Sequence, residues 1–182
     1  GMVIHESQSL LMEMQACRSR EFVHFAAPLL CQEFGGSGPL WEEENLYRFL
    51  TLVEPGFIRV ESDEVTYPAH VILRYRLERA LIEDRLRLAE LPGAWNEMMQ
   101  ELLGIAPPND RLGCMQDIHW PSGGFGYFPT YTLGAMTAAQ LFAAARKARP
   151  GIPAALAKGD FSPLVDWLKT EVHGRASLLG TD

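Results

Sequence analysis

The chain has 182 residues, enough for one domain with a real hydrophobic core. Its 16 Lys plus Arg against 23 Asp plus Glu give a net charge of −7 with no basic stripe, which argues against nucleic acid as a partner. No apolar run approaches the roughly 20 residues that cross a bilayer, and no basic segment followed by an apolar one opens the chain, so the expectation is a soluble, cytoplasmic protein with no membrane partner.

Leu10, Leu11, Met14, Phe22, Phe25 and Leu29 recur at helical spacing and predict one long helix from His5 to about Cys31. Pro28, which lacks a backbone N–H, should kink or tighten its last turn, and the glycine-rich run from Gly35 to Pro39 breaks the chain. Glu42, Glu43 and Glu44 suit a helix start, where negative charge meets exposed amides; Leu46, Phe49, Leu50 and Val53 form the expected buried stripe before Glu54-Pro55-Gly56 ends it. Phe57 to Glu61 alternates and predicts a short strand, followed by a helix from about Tyr67 to Arg87 whose apolar stripe is Val71, Leu73, Leu77 and Leu81. After Leu91-Pro92-Gly93 a helix from Ala94 to Leu103 is expected, with Gly104 as its stop. Cys114 to Trp120 reads as a short extended segment leading into the Pro121-Ser122-Gly123-Gly124 turn. An alanine-rich helix should run from Tyr127 or Thr130 to Arg149, packed through Leu133, Met136, Ala139, Leu141, Phe142 and Ala145. Pro150 and Pro153 close it, and two last helices follow, Pro153 to Lys158 and Ser162 to Val172, with Ser162 as N-cap before Pro163. Cys17, Cys31 and Cys114 are odd in number with no close pairing, so reduced thiols are expected. The sum is a mainly α chain with a small β-sheet beside the site, and one domain over residues 1–182.

His5-Glu6-Ser7-Gln8-Ser9 reads like half of a zinc-protease signature with Ser9 where the second histidine should be. A zincin helix carries His-Glu-x-x-His because two imidazoles one turn apart grip the zinc while the glutamate deprotonates its water, and a serine cannot replace an imidazole. Four phrases at separated positions carry a resemblance: HESQ at His5 to Gln8, IRVESD at Ile58 to Asp63, GCMQDIHW at Gly113 to Trp120, and FGYFPTYTLG at Phe125 to Gly134. Together they closely resemble the Taq-type (thermostable carboxypeptidase 1) zinc metallocarboxypeptidases. The resemblance covers Ile4 to about His173 and corresponds to the C-terminal part, well under half, of a usual member. It implies a zincin-like, mainly helical C-terminal portion, with the two zinc-binding histidines and the general-base glutamate lying upstream of the HES phrase.

By this resemblance Glu6 is the ancestral third zinc ligand; without it, a lone glutamate near a terminus reads as a solvated helix-start residue, and His5 reads as a helix-start or outer residue. Arg59 resembles the arginine of the family's IRxxAD phrase, where a guanidinium suits a substrate's terminal carboxylate; the alternative is that Arg59 pairs with Asp63 or other neighbours in a partly buried network. His119 and Tyr131, with Tyr127 as the other tyrosine candidate, would donate hydrogen bonds to the oxyanion of a tetrahedral intermediate, although a tyrosine on an alanine-rich helix is also a common core aromatic. Gln116 and Asp117 would orient His119 or shape the substrate pocket. His24, His70 and His173 lie away from any paired ligand and read as structural or surface residues.

Two readings follow. The resemblance implies a metallocarboxypeptidase that releases C-terminal amino acids from peptides by zinc-activated water, here truncated and inactive alone, with a peptide C-terminus as partner once completed. The alternative is a non-catalytic helical module that binds no zinc by itself and self-associates, as a dimer or other homo-oligomer, through surface the missing helices would have covered.

Overall fold

The computed structural model describes residues 1–175 and Leu178. Eight α-helices are formed among the described residues: α1 Met2–Leu10, α2 Arg20–Glu33, α3 Glu43–Leu50, α4 Tyr67–Ile82, α5 Leu91–Leu103, α6 Pro129–Ala148, α7 Ile152–Leu156 and α8 Ser162–Glu171. They fall into two compact units, Gly1–Thr51 together with the chain from Leu133 onward, and Leu52–Thr132.

In the first unit the expected single helix is two. Past α1 the backbone widens into a π-helical turn, Leu11–Ala16, in which the Cys17 N–H donates to the Met12 carbonyl at 2.8 Å. Ser19 then adopts an extended conformation and its hydroxyl accepts the Phe22 N–H at 3.2 Å, so it caps α2 and restarts the helix. Hydrophobic periodicity runs through this break because the π turn keeps Leu11 and Ala16 buried. The core of the unit joins Leu10, Leu11 and Ala16 to Ala138, Phe142 and Ala145 of α6, Ile152 and Leu156 of α7, and Leu164 and Leu168 of α8. Close approach is set by Gly134: a Cβ there would lie 3.2 Å from that of Glu6 and 3.3 Å from the Ser7 nitrogen. The packing face of α6 is therefore Gly134, Ala138, Phe142 and Ala145, whereas the expected Leu133 and Met136 are exposed. The α3 stripe is also corrected, because no residue of α3 is buried and Phe49 is 73% exposed. Ser162 is the first residue of α8 rather than its cap; Phe161 holds the cap position, and Asp160 Oδ1, one residue before it, accepts the Ser162 N–H at 2.9 Å.

The second unit is built on α4 and α5. Leu73 and Leu77 pack against Leu91, Trp95, Met99 and Leu103. Asp63 starts α4, its Oδ1 accepting the N–H groups of Val65 and Thr66 at 2.8 and 2.9 Å. α4 stops at Ile82, short of the expected Arg87, where Asp84 turns to φ 53°. α5 starts earlier than expected, with Pro92 inside its first turn, and ends at Gly104 with φ 71°. The described residues contain no strand. Phe57 to Glu61 ends in a 3-10 turn, Arg59–Glu61, because the Ile58 carbonyl is taken locally by the Glu61 N–H at 3.2 Å and the Ser62 hydroxyl at 3.0 Å. The segment from Cys114 to Trp120 is likewise folded into turns, with the Met115 N–H donating to the Asp110 carbonyl at 2.9 Å. The small sheet expected beside the site is not formed.

Candidate active site

Six of the seven residues singled out by sequence meet in the second unit, around Asp117. The helix α4 supplies the scaffold through His70, Arg74 and Glu78, which are four residues apart and so share one helical face, all buried. Arg74 donates from Nε to Asp117 Oδ2 at 2.5 Å and from Nη1 to the His70 carbonyl at 2.9 Å. Arg59 approaches the same carboxylate, with Nε and Nη2 at 3.1 and 2.8 Å from Oδ1, while its Nη1 donates to the Tyr67 hydroxyl at 2.9 Å. Arg59 thus pairs with Asp117 and not with Asp63, whose carboxylate is committed to the start of α4.

Burial alone would raise the Asp117 pKa, but the guanidiniums of Arg74 and Arg59 outweigh it and hold the carboxyl below its usual range. Burial pulls Arg74 down to about 10, leaving it charged at neutral pH, while for Arg59 the effect of burial is overcome by Asp117 and its pKa stands above the ordinary value. His70 is fully buried, and burial together with the Arg74 charge lowers it to about 4.

Gln116 fastens the loop to the 3-10 turn. Its Oε1 accepts the Arg59 N–H at 2.9 Å, and its Nε2 lies 3.0 to 3.1 Å from the carbonyls of Phe57, Leu112 and Gly113. His119 Nε2 is 3.0 Å from the Tyr131 hydroxyl, and its ring packs on Phe128 with centroids 4.4 Å apart. Asp117 does not orient His119 by a hydrogen bond: Oδ1 is 3.8 Å from Nδ1, and Nδ1 has no hydrogen-bond partner among the described residues. Burial first, and then the nearby Arg59 charge, lower the His119 pKa and favour neutral imidazole. Tyr127 stacks edge-on to Tyr131, centroids 5.2 Å apart. The glycine turn between His119 and Tyr131 is held by Glu78, which accepts the Trp120 indole N–H at 2.8 Å and the Gly126 N–H through its other oxygen.

Glu6, the seventh residue, belongs to the first unit, on α1. Its carboxylate accepts the Ser9 hydroxyl at 3.1 Å, so the serine in the second-histidine place binds Glu6 itself. His24 and His173 are exposed and bond Glu43 at 2.7 Å and Gln8 at 2.9 Å. Among the described residues no three His, Cys, Asp or Glu side chains come together to hold a metal ion. The donor set present does not fit a catalytic zinc, which needs three protein ligands.

The apolar stripe of α4 concealed Tyr67, His70, Arg74 and Glu78 from sequence reasoning. The signal was available in His70, Arg74 and Glu78, a polar ridge at four-residue spacing beside a leucine stripe, which marks a helix buried on more than one side.

The chain belongs to the Carboxypeptidase Taq (M32) metallopeptidase family, whose pattern it matches over residues 1–182. It is 40% identical over 175 residues to thermostable carboxypeptidase 1 of Pyrococcus furiosus and 41% identical over 176 residues to carboxypeptidase 1 of Bacillus subtilis, covering 96% and 95% of this chain. It superposes on metallocarboxypeptidase 1 of Trypanosoma cruzi with a TM-score of 0.90 at 42% identity, covering 100% of this chain and 38% of that one. The chain spans about a third of the length of the relatives it matches, 35% and 34% for the first two.

Proposed function

We propose that this chain furnishes the substrate-facing portion of a zinc carboxypeptidase that releases C-terminal amino acids from peptides, and that it is inactive alone. The observation that carries this reading is the His119–Tyr131 pair, 3.0 Å apart, on a chain whose whole length matches a metallopeptidase family. The bond between them takes the proton of one partner, and the proton of the other is the donor offered to a tetrahedral oxyanion, which it stabilises more than the carbonyl that precedes it and so lowers the barrier. Tyr127, beside Tyr131, offers a second hydroxyl. Arg59 holds Asp117 and Tyr67 with three of its five N–H groups, which leaves one on each terminal nitrogen for a peptide's terminal carboxylate. Gln116 and Asp117 fix that arginine in place. Glu6 is the carboxylate offered to the metal, and zinc with its remaining ligands comes from outside this chain.

The second reading is a non-catalytic, self-associating module, favoured by the incomplete ligand set among the described residues. Zinc titration by calorimetry with a carboxypeptidase assay on the same sample separates the two. The chain alone should show neither stoichiometric zinc nor turnover; tight zinc with turnover overturns its inactivity. Replacing the matched segment of Bacillus subtilis carboxypeptidase 1 with this chain should preserve activity, and His119→Ala or Tyr131→Phe should then lower kcat by about 100-fold. A correctly folded, zinc-loaded chimaera with no activity supports the module reading.

A further inference from the structure

The helix α3, Glu43–Leu50, is amphipathic, yet it turns its polar side to its own chain. Arg20 of α2 donates from Nη1 to Glu44 Oε2 at 2.6 Å and lies 4.0 Å over the Tyr47 ring, and His24 Nδ1 is 2.7 Å from Glu43 Oε2. Asn45 and Phe49, four residues apart, share the opposite face. Asn45 donates to the Pro39 carbonyl at 2.7 Å, which holds the turn bearing Leu40 against this face. Trp41 follows; it packs over Gly36, where any side chain would collide with its ring, and stacks on Phe34 with centroids 6.3 Å apart and planes at 27°.

Phe34, Leu40 and Phe49 are thereby left exposed on one side of the α2–α3 pair. Apolar side chains grouped in this way mark an interaction site rather than an ordinary surface. The relatives indicate what covers them. Metallocarboxypeptidase 1 of Trypanosoma cruzi keeps the fold over 100% of this chain, while this chain is only 38% of that one. The α2–α3 pair occurs there within a body that holds much more polypeptide. A helix that binds its neighbour through charged side chains and turns its phenylalanine outward suits burial between that neighbour and further chain.

We propose that the surface formed by Phe34, Leu40 and Phe49 receives the polypeptide that carries the remaining zinc ligands, the counterpart of the upstream portion of the relatives. The identity of the partner rests on the peptidase reading; the place rests on α3. The contact is apolar on both sides, because Arg20, Glu43 and Glu44 are already engaged between α2 and α3.

The test compares amide hydrogen exchange over Glu43–Leu50 in the dilute 182-residue chain and in the Bacillus subtilis carboxypeptidase 1 chimaera that contains it. Exchange should be about ten-fold or more slower in the chimaera. Phe49→Asp should return it to the rate of the isolated chain, where that exposed residue can be changed silently, and Phe49→Leu should keep the protection. His119→Ala should lower turnover and leave the protection intact, so docking and catalysis fail separately. A protected α3 in a zinc-loaded, inactive chimaera supports the surface and counts against the peptidase reading. An active chimaera whose α3 exchanges as in the isolated chain, or ignores Phe49→Asp, overturns the surface alone. Protection that appears only as concentration rises assigns the surface to a second copy and overturns the proposal as well. The upstream portion of the Bacillus subtilis enzyme, added in trans to the 182-residue chain, gives a second measurement that needs no chimaera. A complex weakened about ten-fold or more by Phe49→Asp supports the proposal, and no complex, or equal affinity for the variant, overturns it.

Discussion

Asp117 carries two guanidiniums where water reaches little of any partner; the side chains of Arg59, Arg74 and Asp117 are 5%, 0% and 12% exposed. Such a cluster adds little net stability when whole, because desolvation offsets attraction, but breaking it strands charge. Asp117→Asn, which keeps the shape and removes the charge, should therefore cost about 3 to 5 kcal/mol by urea unfolding. A loss below 1 kcal/mol would mean that water already screens the pair. His70 has the opposite logic. Its folded pKa of about 4 lies below its ordinary 6.5, so between these values the unfolded chain takes up a proton that the folded chain refuses. The contribution of neutral His70 is present above pH 6.5 and is lost as pH falls toward 4, on the order of 3 kcal/mol at most. His70→Phe cannot titrate, so the stability difference between wild type and this variant should shift against wild type over that interval. A difference that stays constant with pH would place His70 in contact with water.

Secondary-structure elements are set here by single polar residues at their ends. Ser19 restarts the helix after the π turn, and Ser19→Ala should cost about 1 kcal/mol, typical of a lost cap. Circular dichroism with urea unfolding measures it, and no change would assign the restart to packing of Val23 and Ala27 instead. In the second unit, Glu78 ties the α4 face to the turn between His119 and Tyr131. Glu78→Ala should leave the Trp120 indole and the Gly126 amide unbonded and speed hydrogen exchange at both by about ten-fold or more. Unchanged exchange would show that Trp120, stacked on Phe125 and edge-on to Phe128, holds the turn without it.

At the scale of the whole molecule the surface is more apolar than its charge suggests. Phe34, Leu40 and Phe49 of the first unit are 72%, 81% and 73% exposed. Sedimentation should show concentration-dependent association of the isolated chain, reduced by Phe49→Asp. A monomer across the concentration range would remove the self-association reading. The helical class, the end of α5 at Gly104 and the span of α6 could be read from sequence, because glycine and proline punctuation acts locally and needs no partner, whereas Pro92 and Gly93, read as a break, lie inside the first turn of α5. The break at Ser19 could not, since a π turn preserves the apolar spacing on which the expectation of one helix rests. Phe57 to Glu61 alternates like a strand, yet a strand needs a neighbour's backbone, and the Ile58 carbonyl is satisfied within its own turn.

Sequence by itself determined the family, the side chains available for chemistry and the absence of a second histidine beside Glu6, because those are matters of residue identity and spacing. Only the tertiary structure decided that Arg59 binds Asp117 rather than Asp63, that Arg74 joins it from α4, and that Glu78 ties the same helix to the turn before Tyr131. Those facts depend on which groups lose their water together, and that is settled by residues far apart in the chain.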